Sequence, residues 1–202
     1  MPFTLIRIVL VAACCSVACR HFVHMLQLES YQLPGYRRWM SRNRDRLLKN
    51  CVLVGLGGAI LSWYLPVFFS LFITERLPRE STANWVMLAL FVAVTAVLAV
   101  LDFRTPAKKP LVFTRRVRRL YLFIILLCLA GSALLSVLSL PPYLLYAANA
   151  YIVMAAAAIA QPLENRINGQ FFERARKKLE ERPDLIKIGI TGRYGKTSTK
   201  VV

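Results

Sequence analysis

Three stretches of the chain carry no Asp, Glu, Lys or Arg: residues 51–73, 84–101 and 120–161. A helix needs about 20 apolar residues to cross a hydrocarbon layer, so the first stretch suffices for one crossing and the last for two. Pro141-Pro142 divides the long run into candidate spans at 120–140 and 143–160. A less clean apolar segment at 3–23 precedes them, its core bracketed by Arg7 and Arg20. Long cationic side chains reach out of apolar surroundings, so these two arginines are expected to extend toward opposite interfaces. The pattern predicts five transmembrane helices, at 3–23, 51–73, 84–101, 120–140 and 143–160, which together make a membrane domain over residues 1–161.

Smaller signals refine these spans. Gly55, Gly57 and Gly58 permit close helix contact in the second. Pro66 is expected to kink it. Trp85 heads the third span, where an interfacial anchor belongs. Asn149 is a lone polar residue in the fifth and is expected to bond between helices. Cys14, Cys15, Cys19, Cys51 and Cys128 all lie in or at the ends of apolar segments without metal-ligand spacing, so they read as small packing residues. His21 and His24 read as interfacial.

Beyond the spans the chain becomes strongly basic. It is 57% apolar and still carries a net charge of +17. Those two facts agree only because the charges are confined between the spans, the pattern of a polytopic membrane protein. A nucleic-acid binder would interleave Lys and Arg with aromatics on a polar surface, so no nucleic-acid partner is expected. The segment 24–50 is basic and aromatic, with a turn expected at Pro34-Gly35, and suits a lipid interface. Residues 102–119 are the most basic loop, whereas 74–83 is neutral. Positive loops face the cytoplasm. The expected topology is therefore a multi-pass protein of the cell membrane, N-terminus outside and C-terminus cytoplasmic.

After Pro162 the pattern changes. Leu163, Ile167, Phe171, Phe172, Ala175 and Leu179 recur at helical spacing among charged residues, predicting an amphipathic connector over 162–184 that is weakened at Asn168-Gly169. A β-branched run, Leu185-Ile186-Lys187-Ile188-Gly189-Ile190, then reads as a buried strand. It leads directly into Thr191-Gly192-Arg193-Tyr194-Gly195-Lys196-Thr197-Ser198. A strand, a Gly-bearing turn, a Lys and a hydroxyl pair are the parts of a phosphate-binding loop. Gly192 and Gly195 let backbone N–H groups turn inward, Lys196 reaches the outer phosphates, and the Thr197 hydroxyl reaches Mg²⁺. The helix expected to begin near Gly195 offers its positive end to the anion. The candidate nucleotide-binding residues are Thr191, Gly192, Gly195, Lys196, Thr197 and Ser198, with Thr197 also the metal ligand.

The strict phosphate-loop pattern requires Gly where Ile190 stands. The shorter form present here, Thr-Gly-x-x-Gly-Lys-Thr-Ser directly after a strand, resembles the ATP-binding loop of the Mur ligase family. That family usually has Thr or Ser where this chain has Arg193. The resemblance implies that residues 185–202 open an α/β ATPase domain with ATP and Mg²⁺ as cofactors. It also implies a reaction class: ATP phosphorylates a carboxylate and an amine then attacks the acyl phosphate. A membrane region preceding the loop looks like membrane-anchored relatives of the D-alanyl-D-alanine-adding (MurF-type) ligases of peptidoglycan biosynthesis. The implied partners are the lipid bilayer, a nucleotide, a cell-wall precursor and an amino-acid or dipeptide acceptor. The adenine, amine and remaining metal contacts are expected beyond Val202, so residues 1–202 alone are expected to be inactive. Two alternatives belong to other classes. One is a membrane-anchored phosphate-loop tyrosine kinase of polysaccharide chain-length control. The other is a non-enzymatic membrane anchor.

Overall fold

The structure is a computed structural model that describes residues 2–44, 51–72, 79–104 and 111–181. Six α-helices and one 3₁₀ segment account for almost all of it: α1 (Pro2–Leu28), α2 (Leu33–Arg42), α3 (Leu53–Phe72), α4 (Arg79–Arg104), α5 (Arg115–Val137), the 3₁₀ segment η1 (Pro142–Ala148) and α6 (Asn149–Glu180). Two compact units are distinguished, Met1–Pro162 and Leu163–Val202.

This architecture corrects the expected fold class. The described residues are helical and contain no strand, so the α/β half of that expectation is not seen. Residues 185–202, where the strand and the phosphate loop were expected, lie outside the described residues. Among the described residues four helical stretches are long and apolar enough to cross a membrane: Phe3–Leu28, Thr82–Arg104, Arg115–Val137 and Pro142–Glu180. The second expected span forms α3, Leu53–Phe72, which contains the apolar stretch Leu53–Phe68.

The first unit is organised around α1, which packs against α2, α4, α5 and η1. Its buried face carries Val11, Ala12, Cys15, Cys19, Phe22, Val23 and Leu26, at spacings of three and four along the helix. The opposite face stays open and apolar, with Leu5, Val9 and Val17 exposed. Apolar side chains on both faces are what a helix between protein and lipid requires. Contacts along α1 fix the directions of its neighbours. Phe3 meets Trp85 edge-on and Arg20 meets Asp102, so α1 and α4 run parallel. Ile8 meets Ser132 and Gln27 meets Val112, so α1 and α5 run antiparallel. The end of α1, the end of α4 and the start of α5 therefore gather at one end of the bundle.

Helix α3 lies against η1 because its glycines allow it. A Cβ on Gly55 would sit 2.7 Å from the Ala147 nitrogen, and one on Gly58 would sit 3.1 Å from the Tyr143 Cβ. At Gly57 nothing lies within 4 Å, so only two of the three glycines serve this contact. Phe91 of α4 completes the layer, its ring 4.8 Å from that of Tyr143 and 5.8 Å from that of Tyr146. Both tyrosines are buried here.

Helix boundaries depart from the expected ones for local reasons. Helix α5 begins at Arg115, well before the uncharged run, because the Thr114 hydroxyl caps it by accepting from the Val117 N–H at 3.3 Å. Pro34 occupies the first turn of α2, where its missing N–H costs nothing, so Pro34-Gly35 opens a helix and is not a turn. With Gly35, Tyr36 and Met40 buried, one face of α2 is packed against the bundle. Pro66 and Pro162 both lie inside helices, and α6 runs without interruption through Pro162 and Asn168-Gly169 to Glu180.

Helices α1 and α5 close in the same way. The Tyr31 N–H donates to the Leu26 carbonyl and the Ser30 N–H to the Gln27 carbonyl. In α5 the Leu140 N–H donates to Leu135 and the Ser139 N–H to Ser136. This is the Schellman pairing, which needs a left-handed residue after the helix. Ser30 and Ser139 fill that place at φ 54° and 58°, and Tyr31 follows at 61°.

Candidate functional site

The residues selected from sequence as the nucleotide site, Thr191, Gly192, Gly195, Lys196, Thr197 and Ser198, lie outside the described residues. The polar chemistry the structure does describe collects where α1, α2, α4, α5 and the start of α6 converge.

Near the end of α1 the Arg20 Nη1 lies 2.8 Å from an Asp102 carboxylate oxygen, and the His21 Nδ1 lies 3.5 Å from the other oxygen. The Arg20 guanidinium also stacks 3.8 Å above the Phe103 ring. Arg20 is thus held by a partner within the bundle. It turns to the carboxylate that ends the apolar run of α4, where charge, hydrogen bond and ring attraction add. His21 is drawn into the same group and lies 6.2 Å from the Trp39 ring of α2, so its environment is a cluster within the protein. Arg7, at the other end of α1, sits 5.7 Å from the Phe3 ring.

One turn further along, Gln27 holds α5 by a two-point clamp. Its Nε2 donates to the Val112 carbonyl and its Oε1 accepts from the Val112 N–H, both at 3.3 Å. The amide thus satisfies a backbone pair just ahead of the α5 cap. Arg116 lies 4.1 Å over the Tyr31 ring. Glu29 packs against Gly35, where a Cβ would sit 2.5 Å from the Glu29 Oε2. The segment Gln27–Tyr31 is therefore the latch that closes α1 onto α2 and α5.

Deeper in the bundle the Tyr36 hydroxyl donates to the Ala150 carbonyl at 3.1 Å, and the Cys19 thiol lies 3.8 Å from the Asn149 carbonyl. Both carbonyls belong to the first turn of α6, just past the 3₁₀ segment. Burial pushes the Tyr36 phenol well above its ordinary value, with Cys19 and Cys51 adding to the shift, so it stays a neutral donor. Asn149 is fully buried, and among the described residues neither its Nδ2 nor its Oδ1 has a hydrogen-bond partner. The expected bond between helices is thus not made by its side chain; the Asn149 backbone carbonyl meets Cys19 instead.

Cys15, Cys19, Cys51 and Cys128 are buried and unbridged, in keeping with a packing role. Among the described residues, no three His, Cys, Asp or Glu side chains are grouped to hold a metal ion. The arrangement is one of positioning: cation to carboxylate, amide to backbone, phenol to helix start. Sequence reasoning passed over Arg20–Asp102 and Gln27–Val112. The signal that could have found the first is one cation and one anion, each directly after an uncharged apolar run. For the second it is an amide directly after such a run.

No protein-family model matches the chain, and neither a curated protein nor a solved structure is similar to it.

Proposed function

We propose that the protein acts at the cell membrane as an ATP-dependent carboxylate–amine ligase of the Mur type, working on a cell-wall precursor with an amino-acid or dipeptide acceptor. The single observation that carries this reading is the run Thr191-Gly192 and Gly195-Lys196-Thr197-Ser198 on the same chain as an apolar helical bundle. In this reading Lys196 brings its ammonium to the phosphates and the Thr197 hydroxyl meets Mg²⁺. ATP supplies the activation that makes a carboxylate reactive toward an amine.

The membrane orientation belongs to the same proposal. The ends of α1 and α4 and the Arg-rich start of α5 share one end of the bundle, which supports placing the two basic loops on one side. The positive-inside tendency assigns that side to the cytoplasm, where ATP is available.

The test is ATP turnover by the full-length protein. Lys196→Ala is expected to lower it by about tenfold or more, the scale of losing one electrostatic contact to the reacting group. Membrane insertion should be unaffected. Full turnover in the Lys196→Ala protein would end the ligase reading. A second reading, a non-enzymatic anchor, is favoured by the described polar contacts, which tie helices together. Absence of ATP binding by the parent protein would select it.

A further inference from the structure

Helix α5 carries a feature that the polar junction does not use. Arg118, Leu122, Ile125 and Leu126 follow one another at spacings of four, three and one, so they form a single stripe along the helix. With Phe113 and Tyr121 they line an open groove of about 360 Å³. The Phe113 and Tyr121 rings lie 5.9 Å apart at a shallow angle and wall one side of it. Leu122, Ile125 and Leu126 are each close to half exposed or more. The groove is apolar along its length and cationic at one end.

Among the described residues no carboxylate neutralises the charge at that end. Arg118 is exposed and makes no ion pair among the described residues. Arg115 stands one turn before it, and the first turn of α5 contains no acidic residue. A helix start already favours anions, so an added cation there works in the same direction.

We propose that this groove is a binding site for one anionic phospholipid, with its phosphate against Arg118 and an acyl chain along Leu122, Ile125 and Leu126. The occupant follows from the arrangement. A charged head joined to a long apolar tail matches a cation joined to an apolar stripe that runs along a membrane-length helix. A soluble anion would use only the Arg118 end, and an apolar peptide would leave that cation uncompensated. The inference rests on reading these helices as membrane-embedded, and it adds a specific ligand to that reading.

The experiment is native mass spectrometry of the whole protein released from detergent micelles. It is titrated with phosphatidylglycerol or with phosphatidylcholine carrying the same chains. One phosphatidylglycerol is expected to bind about tenfold more tightly than phosphatidylcholine, the scale of a charge-assisted contact. Arg118→Gln should remove most of that preference, and Arg118→Lys, which keeps the charge, should retain it. Leu126→Ala should weaken both lipids alike. Arg174→Gln, an exposed substitution in α6, serves as the charge control and should change nothing. Equal binding of the two lipids by the parent, or an undiminished preference in Arg118→Gln, would overturn the site while leaving the membrane reading intact. Glycerol phosphate binding as tightly as the lipid would also overturn it. Failure to retain either lipid would overturn both.

Discussion

Helix α6 holds two kinds of structure on one continuous backbone. Before Pro162, Ala150, Val153, Ala156 and Ala160 are buried at helical spacing. After it, Phe171 is 62% and Phe172 78% exposed, and nearly every residue from 165 to 181 is open. The boundary between the two compact units falls at the same residue. Pro162 thus marks a change in burial, although the helix passes through it. The first half is held by packing against neighbours. The second is held by helix-forming side chains and by local pairs such as Arg176 Nε to Glu180 Oε1 at 2.8 Å. Regularity of backbone and depth of burial are separate properties, and a breaker residue in the sequence reports on both at once.

Glycines give the sharpest contrast between the two units. Gly55→Val should destabilise the bundle by about 3 kcal/mol, the upper range for overpacking, because the new Cβ meets the Ala147 backbone. Unfolding in detergent followed by helical circular dichroism would measure this. A loss below about 1 kcal/mol, the low end for overpacking, would mean that α3 can move away from η1 at little cost.

Ion pairs give the next contrast. Asp102→Asn should cost about 1.5 kcal/mol, since it weakens a part-buried charge-assisted bond to Arg20 and removes a charge beside His21. The exposed pair in α6 should be worth far less. Glu180→Gln is expected to cost about 0.3–0.5 kcal/mol at low salt. The two variants can be compared by thermal unfolding at low and high salt. A larger effect at Glu180 would reverse the ranking of the two units.

Gly169→Ala should act in the opposite direction to Gly55→Val. Nothing lies within 4 Å of its Cβ position, so only helix propensity changes, a gain of about 1 kcal/mol. Slower amide exchange around residue 169 would show it. Ser139→Gly should also stabilise, by about 0.5 kcal/mol, by relieving the left-handed strain at the end of α5. Unfolding of the purified protein would detect the gain, and a loss would mean that the Ser139 side chain supports the turn.

The sequence made part of this legible. Long uncharged runs announced the apolar helices because an apolar layer tolerates few charges, and the glycines at 55 and 58 announced a close contact. The helix ends were harder. Arg115 and Arg116 look like loop residues by charge, yet the Thr114 cap starts the helix before them. Ser30 and Ser139 hide two helix ends, because a left-handed cap is normally signalled by Gly. The 3₁₀ segment after Pro141 was read as part of an ordinary span, since apolar content does not distinguish one helical pitch from another. The Arg20–Asp102 pair joins residues far apart in sequence, and no local pattern contains it. The candidate nucleotide residues rest on their motif, as residues 191–198 lie outside the described residues.

The most direct test of the contrast along α6 is hydrogen–deuterium exchange resolved over this helix in the membrane-reconstituted protein. Amides at 150–160 should be strongly protected, those at 165–180 should exchange far faster, and the change should fall within a turn of Pro162. Uniform protection from 150 to 180 would contradict the account, because it would require a burial of the second half that its exposed Phe171 and Phe172 deny.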